Sequence, residues 1–252
     1  MLGAAALLAG GIPAHASAFG PGEQTILKVE VAGFRAGTAT ITVGNATEQA
    51  GKKVYPVVLL ADTASLFALY PLHDKFVTWW SFEKGRSVGW DFTGDENHHD
   101  RRERVRLDLP EPGKAQVQTV RDSQPATSAV VADVPPGAQD IGAALFAVRQ
   151  LPLTPGAAYT VPIFTGHRSF PMGVHVGAPE VVEVEAGRFT ALPVELAVDF
   201  GGKLHTDKPI RVWFGNDAHH AILKFEASLG LGSVNGEAVQ YQPGLDVPAK
   251  SP

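Results

Sequence analysis

The chain has 252 residues, of which 44% are hydrophobic and 19% are charged, and its formal net charge is −5. This composition is typical of a folded globular protein and is too apolar for a disordered chain. The negative charge gives no basic field, so we expect neither nucleic acid nor an anionic membrane surface as a partner. The absence of cysteine excludes disulfides, thiolate catalysis and metal sites held by thiolates.

The first eighteen residues are typical of a secretory signal peptide. An apolar run extends from Leu2 to Ile12, and small residues at 14–18 follow it at the spacing of a cleavage site. The run departs from the usual pattern because no basic residue precedes it. A buried N-terminal helix is the alternative, although the glycine and proline content of 10–13 would weaken such a helix. We therefore expect residues 1–18 to be a signal peptide. No transmembrane segment is expected, because no apolar run reaches about 20 residues.

Alternation of apolar and polar residues dominates the chain from Glu23 onward and predicts β-strands with one dry face. The clearest runs place these apolar side chains together: Leu27, Val29 and Val31; Val105, Leu107 and Leu109; Leu192, Val194, Leu196, Val198 and Phe200. Since no repeat or linker divides the chain, we predict a single domain over 19–252. Its predicted fold class is mainly β, with a strongly curved antiparallel sheet that forms a barrel or β-spiral.

One or two short helices should interrupt the strands. The segment 62–69 begins with a possible capping residue, Asp62, and is stopped by Pro71. The segment 140–150 carries apolar residues at helical spacing and is bounded by prolines on both sides. We expect this second helix to pack across an end or a face of the sheet.

Aromatic residues concentrate between residues 76 and 92, which hold three of the four tryptophans. Alternation places Phe76, Trp80 and Phe82 on one face and Trp79 on the other. Such a cluster is the usual content of a β core. Aromatic side chains on both faces also allow one face to border a cavity. The candidate ligand-binding residues are therefore Phe76, Trp79, Trp80, Phe82, Trp90 and Phe92.

A hairpin is predicted near the C-terminus, where Asn216 and Asp217 form a turn between 210–214 and 218–229. A two-residue turn implies these cross-strand pairs: Phe214 with His219, Val212 with Ala221 and Ile210 with Leu223. This register keeps Ala221, Leu223 and Phe225 on one dry side.

Nine histidines raise the question of a metal site. The pairs 98–99 and 219–220 cannot easily chelate one ion, because neighbours on a strand point to opposite faces. A site would need the fold to assemble residues such as His219, His205 and Asp217. No HExxH or closed ligand motif is present, so we predict no metal and no cofactor.

The sequence also lacks a recognisable catalytic set. No serine-nucleophile motif and no glycine-rich phosphate loop occurs. Glu183 and Glu185 share one face of a predicted strand, but Val182 and Val184 form its dry face, so the carboxylates are expected to face water. We therefore predict no catalytic residues and a protein that is not an enzyme.

Several stretches match one bacterial family in order and spacing: 22–43, 69–76, 136–140 with 149–153, 187–190 and 212–217. Over nearly the whole mature chain they resemble the exported domain-of-unknown-function family 3108 (DUF3108). The resemblance implies a β-rich envelope protein without an assigned reaction, and it brings no catalytic residues. The expected sheet is also similar to periplasmic lipoprotein-carrier folds.

These features favour a non-enzymatic exported protein of the periplasm in a Gram-negative envelope. It would bind an apolar ligand, such as a lipid or an acylated peptide, or support envelope integrity through such binding. A lipoprotein or another envelope protein is the expected macromolecular partner. One alternative is a structural protein-interaction module with a filled barrel, whose loop 95–102 contacts a partner. Another is a metal-dependent hydrolase based on histidine and carboxylate side chains.

Overall fold

The computed structural model describes residues 17–63, 73–96, 99–122, 124–198, 208–229 and 232–247. Residues 1–16 of the predicted signal peptide lie outside these ranges. The same holds for most of the predicted helix at 62–69, and for His98, His205 and Phe200.

Over the described residues the chain forms sixteen β-strands and one α-helix. The strands of the N-terminal half are β1 (Gln24–Val31), β2 (Phe34–Val43), β3 (Thr47–Gln49), β4 (Lys52–Thr63), β5 (His73–Ser81), β6 (Arg86–Glu96), β7 (His99–Arg106), β8 (Ala115–Arg121) and β9 (Thr127–Val131). Helix α1 (Ile141–Arg149) follows them. The remaining strands are β10 (Ala158–Phe164), β11 (Ser169–Val176), β12 (Glu180–Val184), β13 (Gly187–Ala197), β14 (Ile210–Gly215), β15 (Ile222–Leu229) and β16 (Gly232–Gln242).

All sixteen strands belong to one antiparallel sheet. Its order is β10-β11-β13-β14-β15-β16-β1-β2-β4-β5-β6-β7-β8-β9, with β12 paired to β13 and β3 paired to β4. The sheet curls strongly, because Trp90 on β6 and Phe164 on β10 have ring centroids only 5.9 Å apart although many strands separate them. It is not closed, since β10 and β9 remain its two ends. The predicted mainly β, strongly curved antiparallel sheet is thus confirmed.

The concave face of the sheet carries the main core. Apolar residues from both halves of the sheet meet there, and α1 contributes Ala143, Ala144, Phe146 and Val148. The alternation of β13 is confirmed, because Leu192, Val194 and Leu196 are buried in this core. Burial of these side chains supplies most of the driving force for folding.

Helix α1 confirms the second predicted helix. It begins after Asp140, whose side chain accepts a hydrogen bond from the backbone N–H of Ala143, and it ends at the cap residue Gln150. The other predicted helix is wrong at its start, because Asp62 lies in β4, paired with Thr38 and His73. Pairing of β4 with a strand on each side outweighs the capping signal. Helix α1, the one helix in the described part of the chain, is not long and apolar enough to cross a membrane.

The C-terminal hairpin is confirmed, but its predicted register is wrong. Phe214 pairs with Ile222, and Val212 pairs with Phe225, with a shift in register between Trp213 and Phe214. The connection is therefore longer than two residues. Asp217 accepts hydrogen bonds from the backbone N–H groups of His219 and His220 and orders this loop. Because of the register shift, Leu223 packs with Trp213 in a separate cluster rather than on the concave face.

Candidate ligand-binding site

A cavity of about 440 Å³ lies between the concave face of the sheet and α1. Its lining comes from strands on both sides of the curl and from α1: Leu27, Ala39, Ile41, Val57, Leu59, Ala61, Asp74, Phe76, Thr78, Phe92, Ile141, Gly142, Ala144, Leu145, Phe146, Ile163, Phe170, Met172, Leu196, Val198, Ile210, Val212, Ile222 and Phe225. Only Asp74 and Thr78 of these residues have polar side chains. The volume lies within the range of roughly 300–1,000 Å³ that is usual for small-molecule sites.

Helix α1 forms the floor of the cavity at one end of the sheet. Gln24 at the start of β1 pairs with Gln242 at the end of β16, and Trp80 at the end of β5 pairs with Ser87 at the start of β6. Because β1, β2, β4 and β5 are successive antiparallel neighbours, these strand ends lie at the same end of the curled sheet. The N-terminal cap of α1 binds there at β5 and β6, and its last turn binds there beside β1.

The N-terminal cap of α1 is anchored by a buried network of hydrogen bonds. The hydroxyl of Thr78 lies 2.7 Å from one carboxyl oxygen of Asp140, and that of Ser87 lies 2.6 Å from the other. The backbone N–H of Ser87 also donates to the side chain of Gln139. Burial raises the pKa of the Asp140 carboxyl, although its hydrogen bonds with Ser87, Thr78 and Ala143 act in the opposite direction. The network fixes the side of the floor nearest β5 and β6.

The last turn of α1 is tied to the sheet by a buried ion pair. The guanidinium of Arg149 donates to both carboxylate oxygens of Glu23, at 2.6 and 3.0 Å. It also donates to the backbone carbonyls of Ala18 and His219. The Arg149 and Glu23 side chains are only 1% and 4% exposed. The floor is thus held at both ends.

Three rows of cross-strand partners form the wall above the β5 side of the floor. The row nearest α1 contains Val57 and Thr78. The middle row contains Ile41, Leu59, Phe76 and Phe92 as successive partners, and the third contains Ala39, Ala61 and Asp74. Thr78 and Asp74 are four residues apart on β5, which corresponds to about 13 Å along a strand. The hydroxyl of Thr78 points to Asp140, with which it forms a hydrogen bond. The charged side chain of this wall, Asp74, therefore lies at its far end.

The end of the cavity away from α1 is its open mouth. The wall residues in the row nearest α1 are at most 3% exposed, whereas those of the third row are half-buried. Ile141 of α1, which also lines the cavity, is 50% exposed. Asp74 lies against Gly94, where a Cβ in place of the glycine hydrogen would fall 2.7 Å from its Oδ1 atom. Gly94 pairs with Arg101, whose guanidinium lies over the ring of Phe92 and donates to the buried carboxylate of Glu103 at 2.8 Å. A rim of mixed charge therefore borders the mouth on the β5–β7 side.

The six candidate aromatic residues are not brought together in one place. Phe76 and Phe92 line the cavity, with ring centroids 6.3 Å apart. Trp80 and Phe82 pack with Phe19 in the core next to the last turn of α1. Trp90 packs between Phe76 and Phe164. Trp79 faces the opposite side of the sheet, as its alternation predicts, and donates its indole N–H to Asp91.

The described histidine and carboxylate candidates contact the backbone or form surface ion pairs. His220 contacts the backbone carbonyl of Arg149 through Nδ1 at 2.8 Å. Glu183 forms an exposed ion pair with Arg188. Within the described ranges no three His, Asp or Glu side chains form a group that could hold a metal ion.

Sequence reasoning missed the residues that position the floor. Glu23 and Arg149 are 126 positions apart, and no local pattern indicates that they pair. The lining from β10 to β15 was also missed as a site, because those residues look like ordinary core positions in a strand. Asp140 alone carried a recognisable signal, since it stands where a helix cap is expected.

Comparison with solved structures identifies a protein of similar fold. The structure resembles the crystal structure of a β-barrel-like protein of the domain of unknown function DUF1849 from Brucella abortus. The two chains are 15% identical, with a TM-score of 0.56, over 89% of this chain and 98% of that chain. At this identity the similarity establishes the fold alone.

Two weaker structural matches carry no argument. A provisionally assigned exported protein with a YmcC-like fold from Bacteroides fragilis is 12% identical, with a TM-score of 0.34, over 89% of this chain and 98% of that chain. A provisionally assigned lipoprotein from Parabacteroides distasonis is 9% identical, with a TM-score of 0.32, over 90% of this chain and 99% of that chain.

Sequence comparison identifies the family of the chain. None of the curated proteins is significantly similar to the chain in sequence. The sequence model of the family described as "Protein of unknown function (DUF3108)" matches residues 27–239. The chain therefore belongs to the DUF3108 family.

Proposed function

We propose that this protein is an exported, non-enzymatic binding protein that holds an apolar molecule, such as a lipid or an acylated peptide, inside its curled sheet. Its proposed location is the periplasm of a Gram-negative envelope. The signal-like apolar run at residues 2–12 and the small residues after it support export. The ligand could be received from, or passed to, a lipoprotein or another envelope protein.

The observation that carries the proposal is the open cavity of about 440 Å³ with a lining of apolar side chains. A barrel that serves only as a structural module would fill its interior with side chains. Water in such a space gains few hydrogen bonds from the walls, so an apolar molecule replaces it favourably. The hollow interior therefore favours a binding protein over the filled interaction module.

The chemistry of the lining supports binding rather than catalysis. A general base or nucleophile needs a partner within hydrogen-bond reach. The lining offers the hydroxyl of Thr78, which is bonded to Asp140, and the carboxylate of Asp74. The described lining contains no serine, cysteine, lysine or histidine side chain.

The experiment is displacement of a fluorescent apolar probe, N-phenylnaphthylamine, from the full-length mature protein. Ile141→Glu places a carboxylate in the cavity at a half-exposed first-turn position, where an acidic residue is compatible with a helix. The bound probe would cover this carboxylate and bury it without a partner, which is costly. This variant should therefore bind the probe at least about tenfold more weakly.

The matched control is Val130→Glu. Val130 is 63% exposed on β9 and does not line the cavity. This variant should bind like the unmodified protein. If the unmodified protein does not take up the probe, or if both variants lose binding equally, the proposal is wrong.

A further inference from the structure

The size and polarity of the cavity restrict the class of ligand, given the proposed binding function. The floor is apolar, with Ile141, Leu145 and Phe146 of α1 facing the cavity. The wall above it is apolar through the row that contains Phe76 and Phe92. A hydrocarbon group is therefore the part of a ligand that fits next to α1.

The charged side chains that line or border the cavity lie at its opposite end. Asp74 lies in the row farthest from α1, beside Gly94, which is the cross-strand partner of Arg101. Thr78, at the floor, has its hydroxyl bonded to Asp140. This rim carries a carboxylate and a guanidinium that is paired with Glu103, and charged groups of both signs suit a polar head better than hydrocarbon.

The volume indicates how much hydrocarbon can enter. A cavity of about 150 Å³ accommodates benzene, which corresponds to roughly 25 Å³ for each carbon atom. The 440 Å³ of this cavity then accommodate roughly 18 carbon atoms. This is one long acyl chain, and it is about half of what a lipid with two such chains would need.

We propose that the ligand is an amphiphile with a single hydrocarbon chain, bound with its tail toward α1 and its head at the rim of Asp74 and Arg101. Small side chains in the wall leave part of this volume open. Ala39 and Ala61 are cross-strand partners that both line the cavity, in the row of Asp74. Enlarging either side chain should remove volume from the outer part of the cavity and so shorten the hydrocarbon chain that fits between α1 and the rim.

The test measures displacement of N-phenylnaphthylamine by lysophosphatidylcholines with a single chain of about 8 to about 22 carbons. Affinity should rise about fourfold for each methylene, up to about 18 carbons, and then stop rising. Ala39→Leu adds three carbons to the wall, so its plateau should begin about three carbons earlier. For the lysophosphatidylcholine with an 18-carbon chain, this corresponds to an affinity about 60-fold lower than that of the unmodified protein.

Ala61→Leu is a second variant with the same expected direction, in case Ala39→Leu fails to fold. Ala197→Leu is the matched control, because Ala197 is an exposed residue next to the lining residue Leu196. It should leave the plateau unchanged. A diacyl phosphatidylcholine with the same chains should displace the probe at least about 100-fold less well.

The outcomes separate this inference from the proposed function. If the protein takes up neither the probe nor any lysophosphatidylcholine, the proposed function itself is wrong. If it binds the probe but shows no plateau, binds the diacyl lipid equally well, or keeps its plateau in both wall variants, the single-chain assignment is wrong while apolar binding stands.

Discussion

Replacing Arg149 by methionine should destabilise the protein severely. The guanidinium of Arg149 is the buried partner of Glu23, and both side chains are almost fully excluded from water. Breaking a buried ion pair by removing one partner costs about 3–5 kcal/mol, because the remaining charge is buried without compensation. The loss is a large fraction of the roughly 5–15 kcal/mol by which a domain is usually stable.

Urea denaturation of the mature protein measures this loss as a change in the free energy of unfolding. The double variant Arg149→Met with Glu23→Met should recover part of it, because no buried charge remains. Recovery should be incomplete, since the carbonyls of Ala18 and His219 still lack the donors that Arg149 supplies.

The matched control is Arg211→Met. Arg211 and Glu195 also form an arginine–glutamate pair, at 2.8 Å, but their side chains are 48% and 43% exposed. Exposed pairs contribute at most about 1 kcal/mol. Arg149 and Glu23 do not form a stabilising buried pair if Arg149→Met and Arg211→Met change the free energy of unfolding by the same small amount, or if the double-mutant cycle shows no coupling.

Two further predictions concern the floor and the sheet. The pKa of Asp140 is raised above its usual value of 3.8 by burial, so its contribution to stability is complete below the unfolded pKa and is lost as pH rises through the folded one. Asparagine is also a good helix cap but does not titrate. The free energy of unfolding of the unmodified protein, relative to that of Asp140→Asn, should therefore fall from about pH 4 upward when urea denaturation is repeated over a series of pH values. A difference that stays constant with pH would contradict this. Gly89 has φ +151° on β6, and a Cβ there would lie 2.3 Å from the carbonyl oxygen of Val105. Gly89→Ala should lower the free energy of unfolding by at least about 1–3 kcal/mol, and an unchanged urea midpoint would contradict this.

Much of the fold could be predicted from local pattern. Period-two alternation identifies strands such as β13 because one face of the sheet is dry along its length. The bounds of α1 followed from Asp140 and the flanking prolines. The hairpin register could not be predicted, because the shift beside Phe214 and the longer loop ordered by Asp217 change the pairing without changing the composition of the strands.

The site was less predictable than the fold. Alternation correctly separates Trp79 from Phe76 and Trp80, but it cannot distinguish a side chain that fills the core from one that borders a cavity. Phe76 and Trp80 share a face, yet Phe76 lines the cavity while Trp80 packs against Phe19. This difference depends on where α1 crosses the sheet, and that position depends on pairs that are distant in sequence, such as Glu23 with Arg149.

Ligand binding inside the curled sheet is tested most directly by native mass spectrometry of the mature protein, purified gently from an envelope extract without added detergent. We expect a complex with one bound amphiphile per chain, which is lost when Ile141→Glu is purified in the same way and retained by Val130→Glu. A bare mass for the unmodified protein, together with no uptake of added single-chain lipid, would contradict it.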